Sequence, residues 1–210
     1  YSTILRRCIK LYVDIKEKNI GTRRILRNIS FKTERGEMLL ILAPSGCGKT
    51  TLLKCILGET HYSGCVARNA NEKLIYVAQE STLNKRETVY NSLFYTGLLD
   101  HPGSSNDEIR EEVINLSQRL GLANVLNNEI ADLSGGQARR TQLGEGLMRR
   151  CNVLMLDEPD SGLDVSTAHF LLTDVRKIIS KEHKSCIVVS HNVLPETLHL
   201  YDRVLILAPD

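Results

Sequence analysis

One short stretch of the sequence contains residue types that can bind phosphate. Residues 39–58, LLILAPSGCGKTTLLKCILG, have the pattern of an apolar strand, a loop of small residues and the start of a helix. Backbone N–H groups from Gly46 to Thr51 can surround phosphate oxygens, and the N-terminus of the helix adds its dipole. Lys49 can reach the outer phosphates, and the Thr50 hydroxyl can bind Mg²⁺. The stretch therefore predicts a nucleotide site rather than an ordinary Gly/Ser turn.

The first glycine of the phosphate-loop spacing G-x-x-x-x-G-K-[ST] is replaced by Ala43. That position lies at the end of the predicted strand, ahead of the amides that would surround phosphate. Gly46 and Gly48 are intact, and Gly48 has no Cβ to prevent the backbone from approaching the phosphate. A left-handed Ala would store about 1–2 kcal/mol of strain. We therefore expect Ala43 to have a negative φ and the loop to remain competent.

A second segment, NVLMLDEPDSGLD at residues 152–164, is an apolar strand that ends in carboxylates. Strand alternation would point Asp157 and Glu158 in different directions, so that one holds the water shell of a metal and the other faces an attacking water. The alternative is a strand followed by an acidic turn. Asp160 adds a third carboxylate, which could raise the proton affinity of Glu158 or point to solvent; we expect it to point to solvent.

A third segment, LSGGQ at residues 133–137, precedes a predicted helix that runs to about Arg149. Ser134 and the two glycines at a helix N-terminus would form another anion site. Because the chain already supplies one anion site for its own nucleotide, a second anion site suggests contact with the nucleotide of another subunit. A flexible linker would not explain the helix formers that follow. Gly144 and Gly146 inside this helix indicate either close packing against the catalytic strand or simple tolerance, since each costs about 1 kcal/mol relative to Ala.

Composition limits the class of protein. The chain has 210 residues, 42% of them apolar, which suffices for one sizeable core. Its 27 basic residues balance 25 acidic ones and are scattered, so no nucleic-acid partner is expected. Its six cysteines lack metal-ligand spacing and are interpreted as reduced thiols. No apolar run is long enough for a membrane span, and the chain, which begins at Tyr1, could be a domain of something longer.

Apolar runs alternate with helical patterns, which predicts an α/β fold with a mainly parallel sheet. Residues 81–133 carry few strand signals and are predicted to form a helical subdomain, in which Ser105 to Glu108 has the form of a capping box. A further helix is predicted from Asp164 as its N-cap. The predicted strands are 9–13, 38–42, 74–77, 153–156, 186–189 and 204–207.

Six motifs in order resemble the ATPase domain of ATP-binding cassette (ABC) proteins over about residues 5–208. In chain order they are similar to the Walker A loop (43–50), the Q-loop glutamine (Gln79), the signature motif (133–137), the Walker B strand (153–158), the D-loop (161–164) and the switch histidine (His191).

The resemblance implies a P-loop NTPase fold with a RecA-like core. A mainly parallel sheet would be joined by an N-terminal antiparallel β part and a helical subdomain. It also implies a single ABC ATPase domain over 1–210, with the catalytic core at 1–80 and 134–210 and the helical subdomain at 81–133. The segments LGEGLM, SGLD and PETLHLYDRVLIL resemble the G subfamily of eye-pigment and sterol-type half-transporters, whereas ILGE at 56–59 is similar to the C subfamily.

The resemblance further implies the chemistry of the site. Glu158 would be the general base, Lys49 would bind the outer phosphates, and His191 would contact the γ phosphate. Asp164 would tie two subunits together. Mg²⁺ would be bound by Thr50, Gln79 and, through its water shell, Asp157. The residues implied to bind ATP are Ser45, Gly46, Cys47, Gly48, Lys49, Thr50, Thr51, Ser134 and Gly136. Tyr12 is the nearest candidate to stack on adenine, although a plain strand tyrosine is the favoured interpretation.

Partners follow from the same resemblance. Two such domains would pair head to tail, as a homodimer or heterodimer, and a transmembrane domain would dock near the Q-loop, at residues 79–90. The domain would then act at the cytoplasmic face of a membrane. A soluble translation-type ABC ATPase and a regulatory cassette that does not hydrolyse ATP remain alternatives. The presence of Glu158 and His191 argues against the second. A chromosome-type ATPase is excluded, because residues 80–133 leave no room for its long coiled coil.

Overall fold

The computed structural model describes residues 9–68 and 72–208. Five strands form a parallel sheet in the order β5-β6-β7-β3-β8, and three form an antiparallel sheet in the order β2-β1-β4. The strands are β1 Ile9–Ile20, β2 Arg23–Glu34, β3 Met38–Leu42, β4 Ser63–Arg68, β5 Leu74–Val77, β6 Val153–Asp157, β7 Ser185–Ser190 and β8 Arg203–Ile206.

The central strands are buried on both faces, as their continuous apolar sequences require. Every residue of β6 and β7 is buried, and so are the first four of β3. These three strands are parallel neighbours in the sheet, so their carboxyl ends lie at the same edge. The segments that follow them begin at Ala43, Glu158 and His191. The sheet therefore brings three of the predicted motifs to one edge.

Helices and 3₁₀ turns connect the strands. Gly48 (φ 88°) precedes the helix Lys49–Leu57 and Gly58 (φ 80°) ends it, so this helix stops at the predicted glycine. The capping box of Ser105 and Glu108 begins the helix Asn106–Arg119, and the Asp164 carboxylate caps the helix Val165–Glu182, both as predicted. The helices are α1 Lys49–Leu57, α2 Val89–Asp100, α3 Asn106–Arg119, α4 Gly135–Met148 and α5 Val165–Glu182, and the 3₁₀ turns are Ala123–Val125, Ile130–Asp132 and Pro195–Leu200.

Two apolar cores lie on opposite faces of the parallel sheet, because successive strand residues point to opposite sides. Met38 and Leu40 pack into one core with buried side chains of α2 to α5. Leu39 and Ile41 pack into the other with α1 and the antiparallel sheet. The parallel sheet thus forms the middle layer of the molecule.

The two glycines inside α4 lie at close contacts. An ideal Cβ on Gly146 would lie 2.5 Å from Val77 Cγ2 in β5, and one on Gly144 would lie 2.9 Å from Leu93 Cδ2 in α2. Gly146 therefore packs on the sheet, but its closest contact is with β5 and not with the catalytic strand β6, where Leu154 Cδ1 lies 3.7 Å from the same ideal Cβ. Because Gly144 has no side chain, α4 can instead approach α2 closely at this position.

The α/β fold and all six predicted strands are confirmed, but β2 and β4 were not predicted. Charged residues interrupt the apolar positions of β2, and β4 is mostly exposed, so neither carries a continuous apolar run. Residues 81–133 contain α2, α3 and two 3₁₀ turns, and their assignment as a subdomain stays a prediction. The described cysteines are free thiols, and Cys8 lies outside the described residues.

None of the helices found among the described residues is both long enough and apolar enough to cross a membrane.

Candidate functional site

The phosphate loop begins at Ala43, directly after β3. Its N–H donates to Ser190 O at 3.1 Å, which fixes the start of the loop to the end of β7. Ala43 is fully buried and has a negative φ, as predicted. The substitution of the first glycine therefore introduces no left-handed strain at this position.

Gly46 and Gly48 give the loop its curvature, since both have a positive φ, 82° and 88°. An ideal Cβ on Gly48 would lie 2.8 Å from both Ile25 Cγ2 and Leu26 Cδ2 in β2. Glycine at position 48 is thus required by packing on the antiparallel sheet, a reason additional to the approach of phosphate. Other predicted ATP-binding positions here are exposed or half-buried at the loop surface and the start of α1: Ser45, Cys47, Thr50 and Thr51.

Lys49 lies at the first position of α1 and folds back over the loop. Its Nζ donates to Ala43 O at 3.0 Å and to Pro44 O at 3.3 Å. The same ammonium is 3.6 Å from Glu158 Oε1. A cation on the loop is therefore adjacent to the carboxylate that follows β6.

Glu158 is the centre of the site. Gln79 Nε2 donates to its Oε2 at 2.7 Å, and His191 Nδ1 lies 2.9 Å from its Oε1. The residue is only 7% exposed, and its φ of 47° is left-handed. Its direction is thus set by a turn at the end of β6, and not by the strand alternation that we expected. Together with Lys49, these are the four predicted catalytic residues, and the structure brings them into one cluster.

Asp157, the last residue of β6, points elsewhere. Its Oδ2 accepts a hydrogen bond from the Tyr76 hydroxyl at 2.9 Å. Burial raises the pKa of Asp157, and the charge of Glu158 adds a smaller increase, while the Tyr76 bond opposes both. Burial and the charge of Asp157 in turn raise the pKa of Tyr76. Because burial disfavours the charged form of Asp157, a cation bound beside this carboxylate would favour it.

Asp160 does not point freely to solvent, so that expectation was wrong. The residue is half-buried. Burial is the main cause that raises its pKa, and the charge of Glu158 adds to it. The turn after β6 therefore places Glu158 close enough to raise the pKa of both Asp157 and Asp160.

Sequence reasoning missed a buried arginine beneath this cluster. Arg139 in α4 is 9% exposed and donates to backbone carbonyls on both sides of the site, including Asp157 O at 2.6 Å and Ala78 O at 2.6 Å. A signal was present, because Arg139 shares a helical face with Leu143 and Gly146 at the i, i+4, i+7 spacing of a buried stripe.

The signature segment lies at the N-terminus of α4. Ser134 is its N-cap and forms a capping box with Gln137. An ideal Cβ on Gly136 would lie 3.3 Å from Leu163 Cδ2, so the signature packs on the predicted D-loop segment. Within residues 9–68 and 72–208, no hydrogen bond joins Ser134 or Gly136 to the cluster around Glu158. The structure thus leaves these two residues separate from the four clustered ones.

Tyr12 lies on β1, with its side chain 40% exposed on the face opposite the buried Leu11 and Val13. A cavity of about 480 Å³ lies beside the phosphate loop at Gly46 and Cys47, but its lining comes from residues 23–30 and 205–208 and does not include Tyr12. Adenine stacking by Tyr12 stays a prediction.

The predicted Mg²⁺ ligands are a hydroxyl, an amide and a carboxylate, from Thr50, Gln79 and Asp157. Such oxygen groups suit Mg²⁺, which also keeps waters and binds substrate phosphates. Among the described residues, no group of three or more His, Cys, Asp or Glu side chains could hold a metal ion. The binding of Mg²⁺ by these three side chains stays a prediction.

Comparison with known proteins identifies the family. The sequence profile described as ABC transporter matches residues 26–161. The chain belongs to the ABC transporter family. This ABC chain is 33% identical over 205 residues to the ABC transporter G family member 14 of Arabidopsis thaliana, covering 89% of the chain and 31% of that protein.

A bacterial relative is equally similar to the ABC chain. The aliphatic sulfonates import ATP-binding protein SsuB 2 of Burkholderia lata is 34% identical over 203 residues, which cover 93% of the chain and 72% of that protein. The chain thus spans about a third of the plant relative and nearly three quarters of the bacterial one.

Solved structures support the fold of the ABC chain. An ATP-binding cassette of an ABC transporter superimposes with a TM-score of 0.81 at 22% identity, over 95% of this chain and 88% of that one. An ATP-binding subunit of an ABC transporter gives a TM-score of 0.80 at 22% identity, over 94% and 85%. The mixed α/β fold with a parallel and an antiparallel sheet is therefore that of ABC ATPase domains.

Proposed function

We propose that the chain is the ATP-binding and ATP-hydrolysing domain of an ABC transporter. The observation that carries this proposal is the cluster around Glu158, in which a buried carboxylate contacts Gln79, His191 and Lys49 at the edge of the parallel sheet. An ATPase needs a base beside a phosphate-binding loop, because phosphoryl transfer depends mainly on positioning and on neutralisation of charge. Family membership supports the same activity.

In this proposal, each residue has a separate role. Glu158 accepts the proton of the attacking water, and Gln79 and His191 hold its two oxygens in place. Lys49 and the N–H groups of the loop bind the phosphates. Thr50, Gln79 and Asp157 would hold Mg²⁺, which neutralises phosphate charge when it is bound.

The signature residues would act in a second subunit. Ser134 is exposed at the N-terminus of α4, where N–H groups and the helix dipole favour an anion. We propose that Ser134 and Gly136 contact the ATP of a partner ABC domain and that Asp164 lies at the same contact. Such a head-to-tail dimer completes each site from two halves.

A transmembrane partner would bind near the Q-loop. Tyr90 and Phe94 stack with ring centroids 5.5 Å apart in α2, and Tyr95 and Leu99 on the same helix are 53% and 86% exposed. An apolar surface of this kind next to residues 79–90 supports docking of a membrane domain at the cytoplasmic face. The chain is 33% identical to a G-family member and 34% identical to an import ATP-binding protein. Both relatives therefore support the ATPase domain equally.

The test is the substitution Glu158→Gln. It keeps the size and the acceptor oxygen of the side chain but removes the base, so ATP hydrolysis should fall by about 10²–10⁴-fold while ATP binding persists. ATP-dependent dimerisation, measured by size-exclusion chromatography with light scattering, should become stable in the variant. Glu111→Gln, on the exposed surface of α3, is the matched control and should hydrolyse ATP at the wild-type rate.

Equal ATPase rates for wild type and Glu158→Gln would contradict the proposal and favour a regulatory cassette. Salt-sensitive binding of the intact protein to ribosomes would favour a translation-type ATPase instead. Both measurements should use the assembled protein, with its second ABC domain and any membrane partner, because an isolated ABC domain has only half of each site.

A further inference from the structure

Arg139 contacts six hydrogen-bond acceptors, and five of them are backbone carbonyls. It lies in α4, five residues after Ser134, and only 9% of it is exposed. Its guanidinium has five N–H donors in a rigid plane. The acceptors are Ala78 O (2.6 Å), Gln79 O (3.3 Å), Asp157 O (2.6 Å), Glu158 O (3.1 Å), Pro159 O (3.4 Å) and Gln142 Oε1 (2.8 Å).

These acceptors belong to two separate parts of the site. Ala78 and Gln79 follow β5, and Asp157 to Pro159 end β6 and begin the carboxylate turn. Gln142, one turn further along α4, donates to Ala78 O at 3.1 Å and to Glu80 O at 2.9 Å. Arg139 and Gln142 therefore join the Q-loop backbone and the carboxylate turn to a single helix.

The backbone of Glu158 is held on both sides. Its N–H donates to Val189 O in β7 at 2.8 Å, and its carbonyl accepts from Arg139 Nη2 at 3.1 Å and from Ser161 N–H at 3.1 Å. A left-handed φ at a non-glycine residue costs about 1–2 kcal/mol, and it persists only where the surrounding contacts enforce it. The turn contact with Ser161 is local, whereas Val189 and Arg139 fix the N–H and the C=O of Glu158 to β7 and α4.

We propose that Arg139 is a positioning residue that holds Glu158 and Gln79 in their reactive arrangement and ties that arrangement to α4. This inference rests on the proposed ATPase function. Because Ser134 and Gly136 begin the same helix, a shift of α4 on contact with a partner's nucleotide would be passed through Arg139 to Glu158. Arg139 itself touches no reacting atom, since its hydrogen bonds go to carbonyls and to Gln142.

According to this proposal, Arg139 affects the rate of ATP hydrolysis and not the affinity for ATP. None of the hydrogen bonds of Arg139 reaches the phosphate loop at residues 43–51, so ATP affinity should not depend on it. The geometry of Glu158 should depend on it, and a displacement of about 1 Å can cost roughly 10²-fold in rate. Loss of the planar guanidinium fork should therefore lower kcat with little change in KM.

The experiment compares Arg139→Lys with Arg149→Lys in the intact protein. Lysine keeps the charge but cannot reach both groups of carbonyls. We expect kcat, normalised to the number of nucleotide-binding sites, to fall by about 10²-fold with KM within about threefold. Arg149 is exposed just after the end of the same helix, so its variant should keep wild-type kcat and KM.

A double variant separates positioning from general loss of structure. If Arg139 acts through Glu158, then adding Arg139→Lys to Glu158→Gln should not reduce the residual hydrolysis further. If the losses in hydrolysis of the two single variants multiply in the double variant, the inference is overturned. An Arg139→Lys variant with wild-type kcat would overturn it as well. If Arg139→Lys does not fold, Gln142→Met takes its place. We expect a smaller drop in kcat with the same non-additivity, and an unchanged kcat would again overturn the inference.

The two proposals fail in different ways. If Glu158→Gln hydrolyses ATP as fast as wild type, the proposed function is wrong. If Glu158→Gln is slow but Arg139→Lys is not, only the role of Arg139 is wrong.

Discussion

Glu158 illustrates what residue types can and cannot predict. Its place after an apolar strand and beside Asp157 was enough to predict a base near a nucleotide. Its left-handed backbone was not predictable, because besides a turn contact with Ser161 it is held by Val189 and Arg139, residues that are distant in sequence. Ala43 is the opposite case, since local sterics alone predicted its negative φ.

Asp157 gives a prediction about pH at the scale of a residue. Burial raises the pKa of its carboxyl, so the folded protein binds this proton more tightly than the unfolded chain does. The stability of the wild type should therefore fall as pH rises from the ordinary carboxyl pKa, about 3.9, through the raised value. Without nucleotide, Asp157→Asn should have a higher free energy of unfolding than wild type at about pH 7, and the difference should shrink toward about pH 4.

Urea unfolding of both proteins at several pH values measures this difference. Asp132→Asn, at an exposed position, is the control and should follow wild type at each pH. With ATP and Mg²⁺ added, the order should reverse, because the carboxylate then contributes to binding. A less stable Asp157→Asn variant in the absence of nucleotide would contradict the prediction.

At the scale of the element, α4 joins the signature segment to the sheet by close packing. Gly146→Ala would gain about 1 kcal/mol in helix propensity. The new Cβ would, however, lie 2.5 Å from Val77 Cγ2, a branched and buried strand side chain that cannot easily move. We expect a net loss of about 1–3 kcal/mol in the free energy of unfolding, measured by denaturant titration.

Gly144→Ala is the matched substitution in the same helix. Its nearest atoms would be Leu93 Cδ2 at 2.9 Å and Leu120 Cδ1 at 3.2 Å, which are methyl groups at the ends of flexible side chains. The loss should therefore be smaller than for Gly146→Ala. Equal losses, or a stabilised Gly146→Ala, would show that the contact with β5 is not the cause.

The ends of helices and strands could be predicted where the local sequence pattern alone determines them. The capping box at Ser105 and the glycine that ends α1 are local signals, and both mark the observed ends. The strand β4 lacked such a signal, because its residues are mostly exposed and its place depends on pairing with β1. Gly144 and Gly146 indicated close packing of α4 as one possibility, but the contacts with Val77 and Leu93 were not predictable, since both residues reach α4 from other parts of the chain.

At the scale of the whole molecule, Asp202 connects three elements. Its Oδ2 accepts from the backbone N–H of Met38 at 2.8 Å and from Arg176 Nη1 at 2.6 Å, and its Oδ1 accepts from Arg176 Nη2 at 3.0 Å. The carboxylate thus joins the start of β3, the start of β8 and α5. Asp202→Asn should lower the free energy of unfolding by about 1 kcal/mol, or Tm by roughly 2–4 °C.

Calorimetry measures this shift, and Asp174→Asn is the control. Asp174 pairs with Lys177 at 3.0 Å in an i, i+3 contact within α5 alone. Its loss should cost less than about 0.5 kcal/mol, as is usual for such pairs. If the two variants melt at the same temperature, the connection between the elements contributes nothing measurable.

Lys49 has a consequence for the energetics of nucleotide binding. Two of its three N–H donors go to Ala43 O and Pro44 O, and the ammonium lies 3.6 Å from Glu158 Oε1. A phosphate that binds Lys49 can take the third donor while both carbonyl contacts remain, and it then competes with Glu158 for the ammonium. The arrival of the substrate thus draws the ammonium away from Glu158, and the carboxylate keeps Gln79 and His191 as its hydrogen-bond partners.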